Sequence, residues 1–237
     1  MRRQLGPALR VTVALLVLTC GVYPVVVWAV GRIGFVHRTD GSFVKVHGKV
    51  VGSSLIGQNF TDKDGNPLAR YFQPRPSAAG SSGYDPTSSG GTNYGPSNPK
   101  LIGVCLPAQD TDASGKPKVD AQGNPVFKLN PDGSKACDPN TVPQRAVAFR
   151  QFNGLASDAR VPVDAVTASG SGLDPDISVA NALDQTERVA KTRGLPVERV
   201  RALVRAHIRE RALGILGERT VNVLDLNLAL DRLGPSG

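Results

Sequence analysis

An apolar run near the start of the chain is its most regular hydrophobic feature. Residues 11–30 read VTVALLVLTCGVYPVVVWAV and contain no charged side chain. Twenty helical residues at about 1.5 Å each span about 30 Å, which matches the hydrocarbon core of a bilayer. Tyr23 and Trp28 stand where aromatic rings favour the membrane interface, and Pro24 is tolerated near a helix end. The pattern predicts a transmembrane helix over 11–30, preceded by a tail of residues 1–10.

Two other interpretations of this run stay open. In a cleaved signal peptide, Val27 and Ala29 would be the small residues before a cut at Val30, but the run is longer than the usual stretch of about 7–15 apolar residues. In a lipoprotein, Cys20 would carry the lipid, but Thr19 precedes it and apolar sequence continues beyond it. We therefore favour an uncleaved membrane anchor.

Beyond the anchor, the hydrophobic pattern changes from β-like to loop-like. Short apolar runs around a His47-Gly48 turn predict a hairpin or small sheet within residues 35–60. Residues 61–101 are rich in Gly, Pro, Ser and Asn, which predicts ordered loop. Residues 102–144 are polar and repeat turn signals, so we interpret them as an insertion, with residues 126–129 as one strand of a surface hairpin.

Helical periodicity is confined to the last third of the chain. Ser178 is the expected N-cap of a first helix that stops at Gly194. Pro196 opens a second helix, expected to end near Gly214, and a last helix is expected over residues 225–233. The order predicts an α+β fold, in which one transmembrane helix precedes a single domain with a small β-rich part and a C-terminal helical part.

The side of the membrane on which this domain lies is weakly encoded. Basic residues flank the anchor on both sides, so the positive-inside rule alone does not decide. A short tail before a large domain favours a cytoplasmic tail, 1–10, and an extracytoplasmic domain, 31–237. Cys105 and Cys137 form an even pair there, and a disulfide between them would contribute about 3–4 kcal/mol. Two free thiols are the alternative.

A large share of the net charge of +8 belongs to the C-terminal helices. Nine Lys and Arg and only three Glu occur from Arg188 to Arg219. A basic helix can bind nucleic-acid phosphates, but a solvated helix face or one facing anionic lipid gives the same pattern. Because a domain tethered outside a membrane rarely meets DNA, we expect the lipid bilayer as a partner and no nucleic acid.

The sequence offers few groups for catalysis or metal binding. Its three histidines are His37, His47 and His207. Neither a nucleophile elbow nor a phosphate-binding P-loop motif occurs. Asp110 and Asp112 superficially resemble a calcium loop, but Ala121 stands where the twelfth-position carboxylate is required. We expect no catalytic residue, no metal site and no tightly bound cofactor.

Several motifs follow one another in the order found in a known family. They are residues 52–60 (GSSLIGQNF), 71–78 (YFQPRPSA), 89–93 (SGGTN), 95–99 (GPSNP), 161–164 (VPVD), 167–175 (TASGSGLDP), 188–190 (RVA) and 219–227 (RTVNVLDLN). With the anchor, they make the chain resemble the C subunit of the bacterial Kdp complex, a high-affinity potassium-importing P-type ATPase. The resemblance covers nearly the whole chain. It departs from the family pattern in the length and cysteines of residues 102–144 and at Thr92 and Thr220.

The resemblance implies a partner-bound role in the cell membrane. In this family a channel-like subunit selects potassium, the transported substrate, a P-type pump subunit hydrolyses ATP, and the C subunit is a non-catalytic accessory. A glutamine that matches Gln185 is proposed to contact ATP and to raise the ATP affinity of the pump subunit. An extracytoplasmic domain cannot reach cytoplasmic ATP. We therefore expect Gln185 to serve folding or subunit contact.

Two functions follow as alternatives. The first is an accessory subunit that docks on the outer face of the potassium-selecting subunit and is required for assembly or stability of the complex. The second is a free-standing, membrane-anchored enzyme or binding protein of the cell envelope. The second would need a pocket with convergent titratable groups, and the scarcity of histidine argues against it.

Overall fold

The structure is a computed structural model that describes residues 2–102, 105–112 and 114–234. Met1 of the predicted tail, Gly103, Val104 and Ala113 of the predicted insertion, and residues 235–237 lie outside the described residues. The chain divides into two compact units, Met1–Leu55 and Ile56–Gly237. Each unit is described by itself.

The first unit begins with the helix predicted as the membrane anchor. It consists of α1 (Arg2–Leu16), a π-helical segment (Val17–Val22) and α2 (Tyr23–Gly34). Residues 3–34 are long and apolar enough to cross a membrane, and none of the candidate span is buried within the protein. The helix therefore contains the predicted span, 11–30, and extends beyond it at both ends.

The π-helical segment ends two residues before Pro24. Proline has no N–H group and cannot donate to the carbonyl of Cys20, four residues earlier. The preceding turn is correspondingly wide, since the N–H of Tyr23 donates to the carbonyl of Leu18, five residues back. The local widening accommodates the proline inside a continuous helical stretch.

After a short helix, α3 (Val36–Thr39), the chain forms the predicted hairpin. Strands β1 (Phe43–Val46) and β2 (Lys49–Ser53) pair antiparallel, with a bulge between Val44 and Lys45. The two turn residues, His47 and Gly48, both have positive φ angles, 49° and 78°. This geometry suits the right-handed twist of a two-residue hairpin, and it confirms the predicted turn.

The second unit combines short helices with a small sheet. Its helices are α4 (Pro99–Ile102), α5 (Val142–Asn153), α6 (Val163–Val166), α7 (Val179–Asp184), α8 (Thr186–Arg193), α9 (Val197–Ala206) and α10 (Val223–Arg232). Its strands β3 (Asp176–Ser178), β4 (Ile208–Arg209) and β5 (Thr220–Asn222) form an antiparallel sheet in the order β3-β5-β4. The α+β class is confirmed, although strands also occur within the part predicted to be helical.

The first C-terminal helix begins and ends at the residues that the sequence predicted. The hydroxyl of Ser178 accepts a hydrogen bond from the N–H of Asn181, and Gly194 closes α8 in the left-handed conformation. Both predicted ends of the first C-terminal helix are confirmed. Its middle is broken at Gln185, which separates α7 from α8.

The predicted end of the second helix near Gly214 is wrong. Helix α9 ends at Ala206, and two residues later Ile208 pairs with Val221 of β5. Val221 is fully buried and Ile208 packs against the core. Pairing of these two β-branched residues therefore outweighs helix continuation. Helix α5, which begins at Val142 inside the predicted insertion, was missed altogether.

The hydrophobic core lies between helices α7–α10 and the sheet. Its fully buried members are Phe72, Ile177, Ala182, Val189, Ala190, Val200, Val204, Val221, Leu226 and Leu230, each at most 1% exposed. All of them except Phe72 come from residues 177–230. Phe72 belongs to a loop without regular secondary structure. Interactions other than the backbone hydrogen bonds of a helix or sheet must therefore hold it in the core.

The described part of the insertion is a stack of turns. Residues 126–129 form isolated bridges, at Phe127 and Leu129, in place of a continuous strand. Backbone hydrogen bonds join residues in two closed rings of three residues each. In the first, Asp110 donates to Val126, Val126 to Lys118 and Lys118 to Asp110; in the second, Ala108 donates to Ala136, Ala136 to Lys128 and Lys128 to Ala108. A disulfide joins Cys105 to Cys137, whose Cα atoms are 5.1 Å apart. The ends of the stack therefore meet at its base.

Candidate functional site

Gln185 lies at the junction of α7 and α8 and is almost completely buried. Its Oε1 accepts a hydrogen bond of 2.7 Å from the N–H of Gln73, and its Nε2 donates one of 3.1 Å to the carbonyl of Gln73. Nε2 also donates to Oδ1 of Asn181 at 2.8 Å. The side-chain amide thus pairs with a loop residue as a neighbouring β-strand would.

Asn227 on α10 pairs in the same way with the backbone of Phe72, the residue before Gln73. Its Oδ1 accepts from the N–H of Phe72, and its Nδ2 donates to the carbonyl of Phe72, both at 2.9 Å. We call Gln185 and Asn227, with the backbone of Phe72 and Gln73, the amide clamp. The clamp satisfies backbone groups that would otherwise be buried without partners. It explains how a loop residue, Phe72, enters the core.

Arg188 completes the polar interior beside the clamp. Its Nη2 donates to Oε1 of Gln185 at 2.8 Å, and its Nε donates to Oδ1 of Asn153 at 2.9 Å. Its Nη1 donates to the carbonyls of Ala69 and Tyr71. All of these acceptors are neutral, and burial lowers the pKa of Arg188 to about 10.

The charge pattern predicted Arg188 on a helix face exposed to solvent or to anionic lipid, and this prediction is wrong. The guanidinium is buried and stacks on the ring of Phe152 at 4.3 Å. The next two residues, Val189 and Ala190, belong to the hydrophobic core. A planar fork with five donors can join several carbonyls and amides at once, whereas a lysine could not.

A second cluster joins the glycine-rich motifs to one another. Arg75 forms an ion pair of 3.0 Å with Asp174, and the Tyr84 hydroxyl donates to the carbonyl of Arg75 at 2.9 Å. Burial, reinforced by the charge of Asp174, raises the pKa of Tyr84 well above its usual range. A Cβ on Gly172 would approach the carbonyl oxygen of Gly90 to 2.5 Å. These motifs therefore serve close packing between loops.

An open cleft of about 560 Å³ lies beside both clusters. Its lining includes Asn59, Gln73, Arg75, Arg145, Phe149 and Phe152. Arg145 donates to the carbonyl of Val166 at 3.3 Å, and burial lowers its pKa. The cleft combines apolar rings with guanidinium groups that are engaged within the protein.

Most of the remaining basic residues of the C-terminal part are paired. Arg209 contacts Asp176 and Asp225, and the other ion pairs there are Arg193–Asp231, Arg201–Glu198, Arg211–Glu218 and Arg219–Glu210. The exposed pairs among them contribute little stability, about 0–1 kcal/mol each. They do reduce the charge that the helices present to solvent.

Groups suited to metal chemistry do not converge within the described part of the chain. No set of three or more His, Cys, Asp or Glu is placed to hold a metal ion among residues 2–102, 105–112 and 114–234. Asp110 instead accepts hydrogen bonds from the Lys118 ammonium and the Thr111 N–H, and these bonds lower its pKa. Asp112 accepts hydrogen bonds from the Ser114 hydroxyl and the Lys116 N–H, which lower its pKa. His207 faces the carbonyl of Leu203 at 2.8 Å, at the end of α9.

Comparison with known proteins gives the family of this chain. A sequence profile described as "KdpC: K+-transporting ATPase, c chain" matches residues 5–139 and 129–232. Relatives with the name "Potassium-transporting ATPase KdpC subunit" occur in Mycobacterium tuberculosis (43% identical, 98% of this chain and 100% of the relative) and Kineococcus radiotolerans (44%, 93% and 91%). A third, from Polaromonas naphthalenivorans, is 41% identical and spans 99% of this chain and 97% of the relative.

The anchor, the α+β unit and these matches together define a class: a single-pass membrane protein that is part of an ion-transporting ATPase. More particularly, the chain belongs to the KdpC family, the c subunits of potassium-transporting ATPases. The predicted family is therefore confirmed. A subunit implies other subunits of the same complex as its partners.

Proposed function

We propose that this chain is an accessory subunit required for assembly or stability of the potassium-transporting ATPase. Its α+β unit lies outside the cytoplasm and docks on the outer face of the potassium-selecting subunit, while the pump subunit hydrolyses ATP. The chain itself binds neither a cofactor nor ATP tightly and has no catalytic residue. The tail, residues 1–10, stays in the cytoplasm.

The state of Gln185 is the observation that carries this proposal. Both atoms of its amide are engaged inside the protein, through Gln73, Asn181 and Arg188. Contact with ATP would require these bonds to break, and each buried group left unpaired would cost about 1–3 kcal/mol. Gln185 therefore serves folding of the unit. The Cys105–Cys137 disulfide favours an oxidising compartment.

The test compares Gln185→Ala with Asn227→Ala in the complete complex. Both variants remove one half of the amide clamp, but only one removes the residue proposed to contact ATP. We expect both to lower the amount of assembled complex, and the surviving complex to keep the wild-type KM for ATP. An increase in KM for ATP with Gln185→Ala alone, at normal assembly, would contradict the proposal.

Topology is tested by labelling intact cells with a membrane-impermeant thiol reagent. Cys20 lies in the anchor, so Cys105 and Cys137 are the thiols of interest, and a Cys20→Ser chain is the matched background. We expect labelling only after reduction and without lysis. Labelling that requires lysis would place the unit in the cytoplasm and support the ATP role of Gln185.

A further inference from the structure

The connection between β4 and β5 carries an exposed apolar tip. Ala212 and Leu216 exchange two backbone hydrogen bonds of 2.9 Å, which leaves a three-residue turn between them. Leu213, Ile215 and Leu216 are 88%, 77% and 57% exposed. We call these three residues the apolar tip. No described residue of the unit covers them, whereas Leu226 and Leu230 in the core are fully buried.

The backbone at the apolar tip is unfavourable for the residue that occupies it. Leu213 has a φ angle of 54° and Gly214 one of 78°. The left-handed region suits Gly, Asn and Asp, and a leucine there is uncommon. Leu213 therefore lowers both the stability and the solubility of the isolated unit. Strain combined with exposure of this kind marks a contact made outside the chain.

The stem below the apolar tip is charged but internally neutralised. Arg211 pairs with Glu218 and Arg219 with Glu210, each at 2.8 Å, across the two arms of the hairpin. An apolar centre within a rim of paired charges is the usual composition of a protein–protein contact. The charges are satisfied before docking, so the rim needs no counter-charge from the partner.

These features favour a protein surface over a bilayer as the occupant. Segments that bind membrane surfaces combine aromatic residues with free basic side chains. Residues 208–222 contain no Trp, Tyr or Phe. Their three arginines are each paired with a carboxylate, so none is a free basic side chain for anionic headgroups. The chain belongs to a family of ATPase subunits, so protein partners exist.

We infer that the apolar tip inserts into an apolar cavity on another subunit of the same ATPase complex. The inference rests on the proposed function, in which the α+β unit docks on a partner. It assigns the contact to Leu213, Ile215 and Leu216. The hairpin stem orients the tip because β4 and β5 are fixed in the sheet against the core.

The test uses the complete chain expressed with its partner subunits. The double variant Leu213→Asn with Ile215→Ser removes the two most exposed side chains of the apolar tip and places a residue at position 213 that tolerates a positive φ angle. We expect an unfolding temperature equal to or above that of the wild type, with at least a fivefold loss of co-purified partner subunits. The matched control is Leu129→Asn, at a leucine that is 65% exposed in the insertion. Wild-type recovery with the double variant would overturn the inference.

A chain that ends after Leu55 separates this inference from the proposed function. If the truncated chain still recovers all partner subunits, docking by the α+β unit is wrong and the inference falls with it. If truncation abolishes recovery while the double variant keeps it, only the inference fails. Loss of partner recovery with both the truncated chain and the double variant supports the proposed function and the inference.

The lipid alternative is tested with an environment-sensitive fluorophore on Ile215→Cys in the Cys20→Ser background. The chain is measured alone in vesicles of phosphatidylethanolamine and phosphatidylglycerol, and again in the assembled complex. A blue shift that appears only in the complex supports a protein cavity. A blue shift of the same size for the chain alone would assign the apolar tip to the bilayer and overturn the inference.

Discussion

At the scale of residues, the α+β unit depends on side chains that take the place of backbone partners. Gln185 and Asn227 pair with the backbone of Gln73 and Phe72, and Arg188 collects acceptors from several loops and helices. Such contacts contribute modestly when made but are costly when one partner is removed. Substitutions here are therefore expected to affect stability more than surface chemistry.

Substitutions of Arg188 should show whether its positive charge or the geometry of its guanidinium group stabilises the fold. Arg188→Lys keeps the positive charge but cannot reach Gln185, Asn153 and the loop carbonyls together. We expect it to lower the free energy of unfolding by about 1–3 kcal/mol, and Arg188→Ala by about 3 kcal/mol or more. Urea unfolding of the full chain in detergent, followed by circular dichroism, measures both. Arg199→Lys, at an exposed position on α9, is the control. Equal stability of all variants would show that the hydrogen bonds of the Arg188 guanidinium group do not stabilise the fold.

Asp184 makes a local contribution of known sign to the pH dependence of stability. Burial, together with the charge of Asp164, raises the pKa of Asp184. The folded state therefore binds this proton more tightly than the unfolded chain, whose value is near 3.9. The resulting penalty is fully present at neutral pH and is relieved as the pH falls through the raised pKa.

Asp184→Asn should consequently stabilise the protein at pH 7 and lose its advantage as the pH approaches the unfolded value. Because solvent reaches this carboxylate, we expect a gain below about 1 kcal/mol. Thermal unfolding between pH 7 and pH 4 measures the difference from the wild type. Asp158→Asn, at an exposed position, should show no such trend, and a pH-independent gain would contradict the assignment.

At the scale of elements, the sequence predicted those whose pattern is local. The hairpin follows from the turn at His47-Gly48, and α7–α8 follows from Ser178 and Gly194. Helix α5 had comparable signals, since Thr141 caps its start and Gly154 its end, but it lies next to polar turns and has no clear apolar stripe.

Contacts between distant segments could not be read from the sequence. The amide clamp joins residues separated by 112 and 155 positions, and no periodicity links them. Strand β4 is defined by its pairing with β5, in which Ile208 lies opposite Val221 and Arg209 opposite Thr220. A strand of two residues is too short to predict from the sequence. Arg188 resembles a surface arginine until the surrounding acceptors are known.

Loop packing can be tested with two glycines of nearly equal backbone conformation. Gly172 and Gly194 have φ angles of 68° and 65°, but a Cβ on Gly172 would collide with Gly90 and Ala79, whereas one on Gly194 would meet nothing within 4 Å. Gly194→Ala should cost about 1–2 kcal/mol from the left-handed backbone alone. Gly172→Ala should cost about 3 kcal/mol or more, because overpacking adds to it. Equal losses in chemical unfolding would mean that the loop can move aside.

At the scale of the whole molecule, the insertion is a separate addition to the α+β unit. Its ends meet at Cys105 and Cys137, with Cα atoms 5.1 Å apart, and its bonded rings are closed within residues 108–136. Among the described residues of the insertion, none belongs to the core cluster. The unit should therefore tolerate its removal.

Deletion of residues 106–136 tests this independence. The two cysteines are changed to serine and joined through two glycines, a short connection with little loop-closure cost. We expect the remaining chain to keep its unfolding free energy within about 1 kcal/mol and to assemble with its partners. Deletion of residues 142–153, which form α5, is the contrasting change and should unfold the unit, because Asn153 then no longer pairs with Arg188. Loss of folding on removal of the insertion would show that the rings support the core.

The amide clamp also has a consequence for the rates at which backbone protons leave the protein. The N–H groups of Phe72 and Gln73 lie in a loop, where exchange with solvent deuterium is ordinarily fast. Here each is held by a side chain rooted in the core, so exchange requires the helices around that core to separate. These two amides should exchange as slowly as those of α10, while their neighbours along the loop exchange sooner. A stretch without regular secondary structure would then report the opening of the entire unit.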